Sequence, residues 1–190
     1  KKFSPGPITY ILKKKNNSKI TPLATANLKT VAVRFPKHTV ASLLLKNINF
    51  PLAMPSANKS SEISPVDVKD VKEEFDKKLK MIIDGGRSKI GVESTVVDLT
   101  GKVTILRPGF VSNIQIGKVL KKKIPILSKT KLIKSPGSLR KHYSPGIPIK
   151  LNQALPVKNF AFITYGKKFK DSKNIFNLSY NSNLNEIARN

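Results

Sequence analysis

The distribution of apolar residues along the chain predicts short strands that alternate with helices. Runs rich in valine, isoleucine and aromatic side chains, bounded by glycine, proline or polar turns, are typical of strands. Apolar positions that recur every three or four residues are typical of amphipathic helices. The predicted strands are residues 8–12, 30–35, 51–55, 81–83, 95–99, 103–106, 147–151, 160–165 and 175–178, and the predicted helices are residues 38–47, 64–79, 112–123 and 184–189. This alternation indicates an α/β protein.

Ser64 carries the clearest helix start. It is followed by Pro65 at the first helical position and Asp67 at the third, which together predict a helix whose apolar stripe runs to Leu79. Ser64 is interpreted as a plain N-cap in preference to an anion contact, and His38 as a local cap or surface group in preference to a catalyst. The residues predicted to face inward are Val40, Leu43 and Leu44 in one helix and Ile116, Val119 and Leu120 in another.

Composition restricts the chemistry that this chain can carry. Its 190 residues include no cysteine, which excludes disulfides, thiolate nucleophiles and thiolate zinc sites. Lysine and arginine total 36 against 11 acidic residues, a formal net charge of +25 that favours a polyanionic partner. The basic residues are nearly all lysine, and asparagine is abundant as well, so compositional drift of the genome is the preferred explanation. No apolar run reaches the roughly 20 residues of a membrane span, and a cytoplasmic protein is expected.

Residues 81–109 form the first candidate site. Gly85, Gly86 and Gly91 lie between predicted strands, where glycine allows backbone N–H groups to approach an anion. Arg107, at the end of a later strand, adds a guanidinium suited to phosphate. The alternative is a glycine-rich hairpin that only turns the chain, and this stretch alone does not decide between the two.

Polar side chains on or after two other predicted strands extend the candidate site. Thr30 and Arg34 share one face of a strand, which is either solvated or one wall of a site. Ser56 and Asn58 follow residues 51–55, where they either bind phosphate or ribose or close a turn. The chain has no dinucleotide-binding glycine motif and no Walker P-loop, and a structural metal site is not expected. The hydroxyls, the amide, the two arginines and the glycine-rich turns together favour a site that holds phosphates and a polar molecule by position and charge.

A linker is predicted after residue 123, because residues 124–143 lack sustained periodicity. It ends in Arg140, Lys141, His142 and Tyr143, which are bracketed by Ser-Pro turns. Such a segment fits either a cover over a ligand or a solvated connector.

Seven motifs follow one another in an order that is very specific, although no single motif is. They are SPGPIT at residues 4–9, TVAVRFPKH at 30–38, PSANKS at 55–60 with SP at 64–65, DGG at 84–86, ESTVVD at 93–98, RPG at 107–109, and SPG with HYSP between 135 and 145. Together they resemble the threonylcarbamoyl-AMP synthases, the YrdC-like proteins, in their longer form with a linker and a C-terminal domain. The resemblance is close over residues 3–145 and loose beyond them.

The resemblance implies a fold and a reaction. The fold is a twisted, open, mixed α/β sheet, here incomplete, followed by a linker and a partial Rossmann-like α/β domain. The implied division is a catalytic domain at residues 1–123, a linker at 124–146 and a C-terminal domain at 147–190. The reaction joins L-threonine, bicarbonate and ATP into threonylcarbamoyl-AMP and pyrophosphate. Its product serves the threonylcarbamoyladenosine modification of tRNA, with tRNA-modification proteins as partners.

The resemblance also implies roles for individual residues. ATP is expected to contact Thr30, Ser56, Ser64, Arg107 and either His142 or Tyr143 of the linker, whereas L-threonine is expected to contact Arg34, Ser94 and the backbone around Met54. Arg34 suits a two-pronged contact with the threonine carboxylate, and Arg107 suits the charge that develops on the phosphates. Magnesium is expected to bridge the phosphates, because no carboxylate cage is evident.

Departures from the family pattern leave other functions open. The family's N-terminal segment, with its Lys-x-Arg phosphate-binding motif, is not found, the C-terminal domain is incomplete, and Ser4 and Ser61 replace an aromatic residue and a glycine. Little or no synthase activity is therefore expected of this chain alone. The second hypothesis is a module that binds double-stranded RNA or tRNA without catalysis, and the third is a decayed gene fragment without function.

Overall fold

The computed structural model describes residues 2–59, 62–75, 78–127 and 146–190. Its strands are β1 (Ile8–Lys13), β2 (Thr30–Val33), β3 (Thr95–Asp98), β4 (Thr104–Arg107), β5 (Phe162–Thr164) and β6 (Ile175–Asn177). Its helices are α1 (Thr39–Lys46), α2 (Val68–Phe75), α3 (Asn113–Leu120) and α4 (Leu184–Ile187), with a 3₁₀ turn at Pro22–Thr25. The predicted α/β class is confirmed.

The first four strands form one mixed sheet in the order β2-β1-β3-β4. β1 is antiparallel to β2 and parallel to β3, and β3 is antiparallel to β4. Ile8 pairs with Thr95 at one end of β1, and Lys13 pairs with Thr30 at the other end. The parallel pairing joins residues more than 80 positions apart in sequence, and it places the start of β1 beside the start of β3.

The core lies between this sheet and α3. A capping box fixes the start of α3: the Ser112 hydroxyl accepts from the Gln115 amide, and the Gln115 side chain accepts from the Ser112 amide. This orientation buries Ile116 against the sheet. The core residues are Ile8, Val97, Ile105, Val111, Ile116 and Ile124.

The side chain of Thr95 connects the middle of the sheet to the segment that leads into α3. Thr95 is fully buried, and its hydroxyl donates to the Val111 carbonyl at 2.7 Å and accepts from the Val111 amide at 3.0 Å. One hydroxyl thus satisfies two backbone groups that would otherwise be buried without partners.

Thr95→Val is expected to lower the free energy of unfolding by about 2 kcal/mol, because valine fills the same volume but leaves both Val111 groups unsatisfied. Urea denaturation measures the change. Thr104→Val is the matched control, since in the described part of the chain the Thr104 hydroxyl bonds only to the exposed Lys102 carbonyl. Equal effects of the two substitutions would show that the double hydrogen bond of Thr95 contributes nothing.

Three predicted strands are not formed. Residues 51–55, 81–83 and 147–151 contain apolar runs, yet none of them is a strand in the structure, and Met54 and Met81 are more than 70% exposed. A strand needs a neighbour that accepts its backbone hydrogen bonds. In the described parts of the chain, neither sheet pairs with these three segments.

The start of α2 also differs from the prediction. The helix begins at Val68, and Asp67 caps it, because its carboxylate accepts from the amides of Lys69 and Asp70. Asp70 in turn accepts from the amides at Val66 and Asp67. Ser64 is therefore not the N-cap, and its hydroxyl is free to contact another segment.

The other predicted helices are confirmed, with different inward faces. His38 caps α1 by accepting from the Ala41 amide at 3.4 Å, as predicted. Leu43 is 62% exposed, so it does not face the core. Among the inward positions predicted for α3 only Ile116 is buried, since Val119 and Leu120 are exposed.

The beginning of the predicted linker packs beside β4. Ile124 is buried, and Ile105 donates to the Pro125 carbonyl at 2.9 Å and accepts from Leu127 at 2.8 Å. The rest of the predicted linker, residues 128–145, lies outside the described residues.

The C-terminal residues form a small α/β unit, in which β5 and β6 pair in parallel. Asn183 caps α4 as predicted, by accepting from the amides of Asn185 and Glu186. The Glu186 carboxylate accepts from the buried Ser179 hydroxyl. None of the described helices has the length and apolarity to cross a bilayer.

Candidate active site

The candidate site is built around Arg107, the last residue of β4. The register of β3 and β4, which is interrupted by an irregularity between Val96 and Val97, sets Arg107 opposite Val96. Its guanidinium therefore reaches back to Ser94, immediately before β3. Nε and Nη2 donate to the Ser94 carbonyl at 3.2 and 2.9 Å, and Nη2 also donates to the Ser94 hydroxyl at 3.1 Å. These contacts fix the plane of the guanidinium, and among the described residues Nη1 makes no hydrogen bond.

The Ser94 hydroxyl extends this network to β1. It is 2.8 Å from the hydroxyl of Thr9, and Ser94 is buried. Thr9 reaches Ser94 because β1 and β3 are parallel neighbours, with Thr9 paired to Val96. The hydroxyl of Ser94 is thus oriented by one residue from each adjacent strand.

Glu93 joins a more distant segment to the network. One carboxylate oxygen, Oε1, accepts from the Ser64 hydroxyl at 2.8 Å, and the other, Oε2, lies 3.5 Å from Nη2 of Arg107. Ser64 precedes α2, so this contact brings the predicted ATP residue Ser64 to the predicted ATP residue Arg107. We call Thr9, Ser64, Glu93, Ser94 and Arg107 the Arg107 cluster.

Arg34 lies beside the Arg107 cluster. It follows β2, and its Nε donates to the Gly6 carbonyl at 3.2 Å, while Gly6 donates to the Phe35 carbonyl. Burial lowers the pKa of the Arg34 guanidinium, the carboxylate of Glu93 opposes that change, and the positive charge of Arg107 adds to it. Two guanidiniums and one carboxylate therefore share this edge of the sheet. Within the described residues, the two Nη atoms of Arg34 make no hydrogen bond.

Gly109 lets the chain after β4 approach the residues before β3. A Cβ atom at position 109 would lie closer than 3.0 Å to backbone atoms of Glu93, Ser94 and Thr95. The Phe110 amide donates to the Glu93 carbonyl at 3.2 Å across this contact. The RPG motif thus supplies both the guanidinium and the close approach that holds its partners.

The glycine-rich loop is anchored by two helix starts. The Nε2 atom of His38 is 3.1 Å from the Gly85 carbonyl, and Ser88 donates to the Val66 carbonyl just before α2. Gly86 has a φ of +79° in the turn that the Asp84 carboxylate stabilises. Because residues 81–83 are not a strand, the loop is not the simple hairpin of the alternative prediction.

The structure does not bring every predicted site residue to this cluster. Thr30 lies at the opposite end of the sheet, because it pairs with Lys13, about 17 Å along β1 from Ile8 at a strand rise of ~3.4 Å per residue. Ser56 and Met54 are exposed in a segment without strand pairing, and their described contacts do not reach the cluster. His142 and Tyr143 lie outside the described residues.

Sequence reasoning gave no role to Thr9 or Glu93, although both stand inside quoted motifs. Their contacts depend on strand register and on the position of Ser64, which local patterns do not encode. The available signal for Glu93 was its position: it is an acidic residue two positions before a buried strand and next to Ser94, a predicted ligand contact. No group of three or more acidic, histidine or cysteine side chains suited to a metal occurs in the described ranges.

Comparisons with known proteins identify the family of this chain. The family described as Sua5/YciO/YrdC, telomere recombination, matches residues 1–109. The chain is 41% identical over 155 residues to threonylcarbamoyl-AMP synthase of Pyrococcus abyssi, covering 78% of the chain and 45% of that relative. It is 36% identical over 162 residues to the Bacillus subtilis synthase, covering 82% and 46%. The chain thus spans less than half the length of these relatives.

Solved structures extend the similarity to nearly the whole chain. The crystal structure of P. abyssi Sua5 complexed with L-threonine superimposes with a TM-score of 0.79 at 31% identity. The superposition covers 99% of this chain and 60% of that one. The mixed sheet and the C-terminal unit therefore both have counterparts in one solved protein.

Proposed function

Because the chain belongs to the Sua5/YciO/YrdC family, we propose that it binds ATP and L-threonine at the Arg107 cluster and combines them with bicarbonate into threonylcarbamoyl-AMP and pyrophosphate. The observation that supports this most is the contact between Arg107 and Ser94, with Arg34 alongside. Two guanidiniums and several hydroxyls at one sheet edge suit two anionic substrates. The relatives are named as synthases, so the RNA-binding alternative is not favoured.

Arg34 and Ser94 are the proposed contacts of L-threonine. The Nε–Gly6 hydrogen bond orients the Arg34 guanidinium and leaves both Nη atoms for the substrate carboxylate. The Ser94 hydroxyl, oriented by Thr9, is placed to bond a polar group of the same substrate. The backbone around Met54 is proposed to complete this pocket, on the strength of the resemblance.

Ser64 and Arg107 are the proposed contacts of the ATP phosphates. Thr30, Ser56 and either His142 or Tyr143 are also proposed ATP contacts, on the resemblance alone. Magnesium would be held mainly by the phosphates, since the described residues offer no carboxylate cage.

The proposed chemistry needs no protein nucleophile. The threonine amine attacks bicarbonate, and water leaves as the carbamate forms. A carbamate oxygen then attacks the α-phosphorus of ATP, and the bond from that phosphorus to the departing pyrophosphate breaks. Arg107 offsets the negative charge that accumulates on the phosphates, and Arg34 holds the threonine end in line.

The wider setting of the reaction is also a proposal. The product would serve the threonylcarbamoyl modification of tRNA in the cytoplasm, with tRNA and its modifying proteins downstream. The division into residues 1–123, 124–146 and 147–190 remains a prediction. The parallel pair of β5 and β6 supports a Rossmann-like C-terminal unit.

Calorimetric titration of the purified chain with ATP and with L-threonine tests the proposal. Binding is the first readout, because the chain spans less than half of the synthases it matches. Threonine-dependent release of pyrophosphate from ATP in bicarbonate buffer is the second. Failure to bind either substrate would contradict the proposal, and saturable tRNA binding without ATP binding would favour the alternative function.

Arg34→Lys is expected to weaken L-threonine binding about tenfold and to change ATP binding little. Lysine keeps the charge but cannot bond Gly6 and both carboxylate oxygens together. The same titrations measure both affinities, so the ATP value serves as the internal control. Equal losses for the two ligands would indicate that Arg34 only supports the fold.

A further inference from the structure

Glu93 places a negative charge among the groups that are proposed to bind anions. Its carboxylate accepts from Ser64 and lies against Arg107, and these are the two cluster residues proposed to contact ATP. The side chains of Glu93 and Arg107 are only partly exposed, at 30% and 16%. A phosphate oxygen at Ser64 would need the hydroxyl that now bonds to Glu93, and a phosphate at Nη1 of Arg107 would lie beside the Glu93 carboxylate, so the two anions oppose each other by position and by charge.

The two contacts of Glu93 differ in strength. The Ser64 hydroxyl is at an ordinary hydrogen-bond distance of 2.8 Å, whereas the Arg107 contact is long at 3.5 Å. Strong guanidinium–carboxylate bonds measure about 2.7–2.9 Å. The contact of Glu93 with Arg107 is therefore the weaker of the two.

Arg107 does not depend on Glu93 for its position. Its Nε and Nη2 atoms bond to Ser94, and the best of these bonds is 2.9 Å. Loss of the Glu93 charge would leave these bonds in place. The main effect of Glu93 on Arg107 is therefore electrostatic.

The charge of Glu93 also reaches Arg34. Burial lowers the pKa of the Arg34 guanidinium most, while the Glu93 carboxylate raises it and the Arg107 charge lowers it, so the charges of both residues act on Arg34. With Glu93 ionised, the formal charges of Arg34, Arg107 and Glu93 sum to one positive charge. Without the charge of Glu93 they sum to two. The carboxylate reduces the attraction of this edge for any anion.

We propose that Glu93 is an internal counter-anion, which competes with the phosphates of ATP for the Ser64 hydroxyl and for the positive charge of Arg107. Its negative charge reduces the repulsion between the guanidiniums of Arg34 and Arg107, and it is displaced when the nucleotide binds. The inference rests on the proposed nucleotide site. Glu93 thereby sets the affinity for the nucleotide through its charge, without touching the reacting atoms.

Glu93→Gln isolates the charge, because glutamine keeps an oxygen that accepts from Ser64. We expect ATP to bind the variant about tenfold more tightly than the unaltered chain at low ionic strength. The gain should shrink in about 1 M salt, where screening reduces charge effects to a range of ~3 Å. Adenosine, which has no phosphates, should bind both proteins equally. Calorimetric titration measures all of these affinities.

Glu73→Gln is the matched control, since Glu73 is an exposed residue of α2 paired only with Lys69 in the described structure. It makes the same change in net charge away from the site and should leave ATP binding unchanged. Circular dichroism and thermal unfolding check that both variants fold. Glu93→Asp provides a second variant, which keeps the charge but withdraws the carboxylate from its donors, and it should show a smaller gain.

The outcomes separate the two proposals. If the unaltered chain binds ATP and the Glu93 variants bind it equally or more weakly, the counter-anion inference is wrong and the proposed function stands. A gain that is equal for adenosine and ATP, or for Glu73→Gln and Glu93→Gln, also overturns the inference. If neither the unaltered chain nor Glu93→Gln binds ATP, the nucleotide site itself is wrong and the inference falls with it.

Discussion

Arg107→Lys is expected to weaken ATP binding about 100-fold, which corresponds to about 3 kcal/mol. The guanidinium uses Nε and Nη2 to hold Ser94 and retains Nη1 for a phosphate. A lysine ammonium is a single point of charge, so it can satisfy either the Ser94 carbonyl or the ligand, but not both in this geometry. The loss should appear in the calorimetric affinity for ATP and in any pyrophosphate release.

Arg87→Lys is the control for this result. Arg87 is exposed, and its described ion pair is a long contact of 3.8 Å with Asp67. The substitution makes the same chemical change outside the Arg107 cluster, so ATP affinity should stay within twofold of its original value, about 0.4 kcal/mol. If Arg107→Lys also retained full ATP affinity, neither the bonds to Ser94 nor the proposed phosphate contact would matter.

Gly109→Ala is expected to lower the free energy of unfolding by about 3 kcal/mol. The added methyl group meets the backbone of Glu93, Ser94 and Thr95, which cannot move aside as a flexible side chain could. For a chain of this size the change corresponds to a fall of roughly 6–12 °C in the melting temperature. Because the clash displaces the partners of Arg107, ATP affinity should fall as well.

Gly101→Ala separates this clash from the general effect of replacing glycine. A Cβ atom at position 101 would meet nothing within 4 Å, and Gly101 has no positive φ that would strain alanine. Its melting temperature should therefore change by about 2 °C or less, in either direction. Comparable losses in the two variants would show that close packing at Gly109 is not what stabilises this corner.

The elements that were predicted correctly have signals in their own residues. β1 has a compact β-branched and aromatic run that ends in lysines, and α3 has Ser112 and Gln115 at the spacing of a capping box. Such signals do not depend on distant parts of the chain. The predictions at residues 51–55 and 81–83 were wrong because an apolar run reports burial preference, whereas a strand also needs a partner for its backbone.

The site was predictable only in part for a related reason. Ser94 and Arg107 were identified by resemblance, but their hydrogen bonds follow from the register of β3 and β4. Ser64 was interpreted as a cap because Ser-Pro commonly begins a helix. Asp67 and Asp70 compete for that function with carboxylates, which accept from backbone amides more strongly than a hydroxyl does. Ser64 consequently turns to Glu93.

Residues 93–95 are held by hydrogen bonds to two separate parts of the chain, residues 107–110 and Pro7. The Glu93 carbonyl accepts from the Phe110 amide, the Ser94 carbonyl accepts from Arg107, and the Thr95 amide donates to the Pro7 carbonyl. A tripeptide held in this way has little freedom to lose when a ligand arrives, so ordering it adds little entropic cost to binding. The Thr95 amide proton, which is bonded to the Pro7 carbonyl, should exchange with deuterated solvent only when the sheet itself opens, on the timescale of the slowest protons of the core.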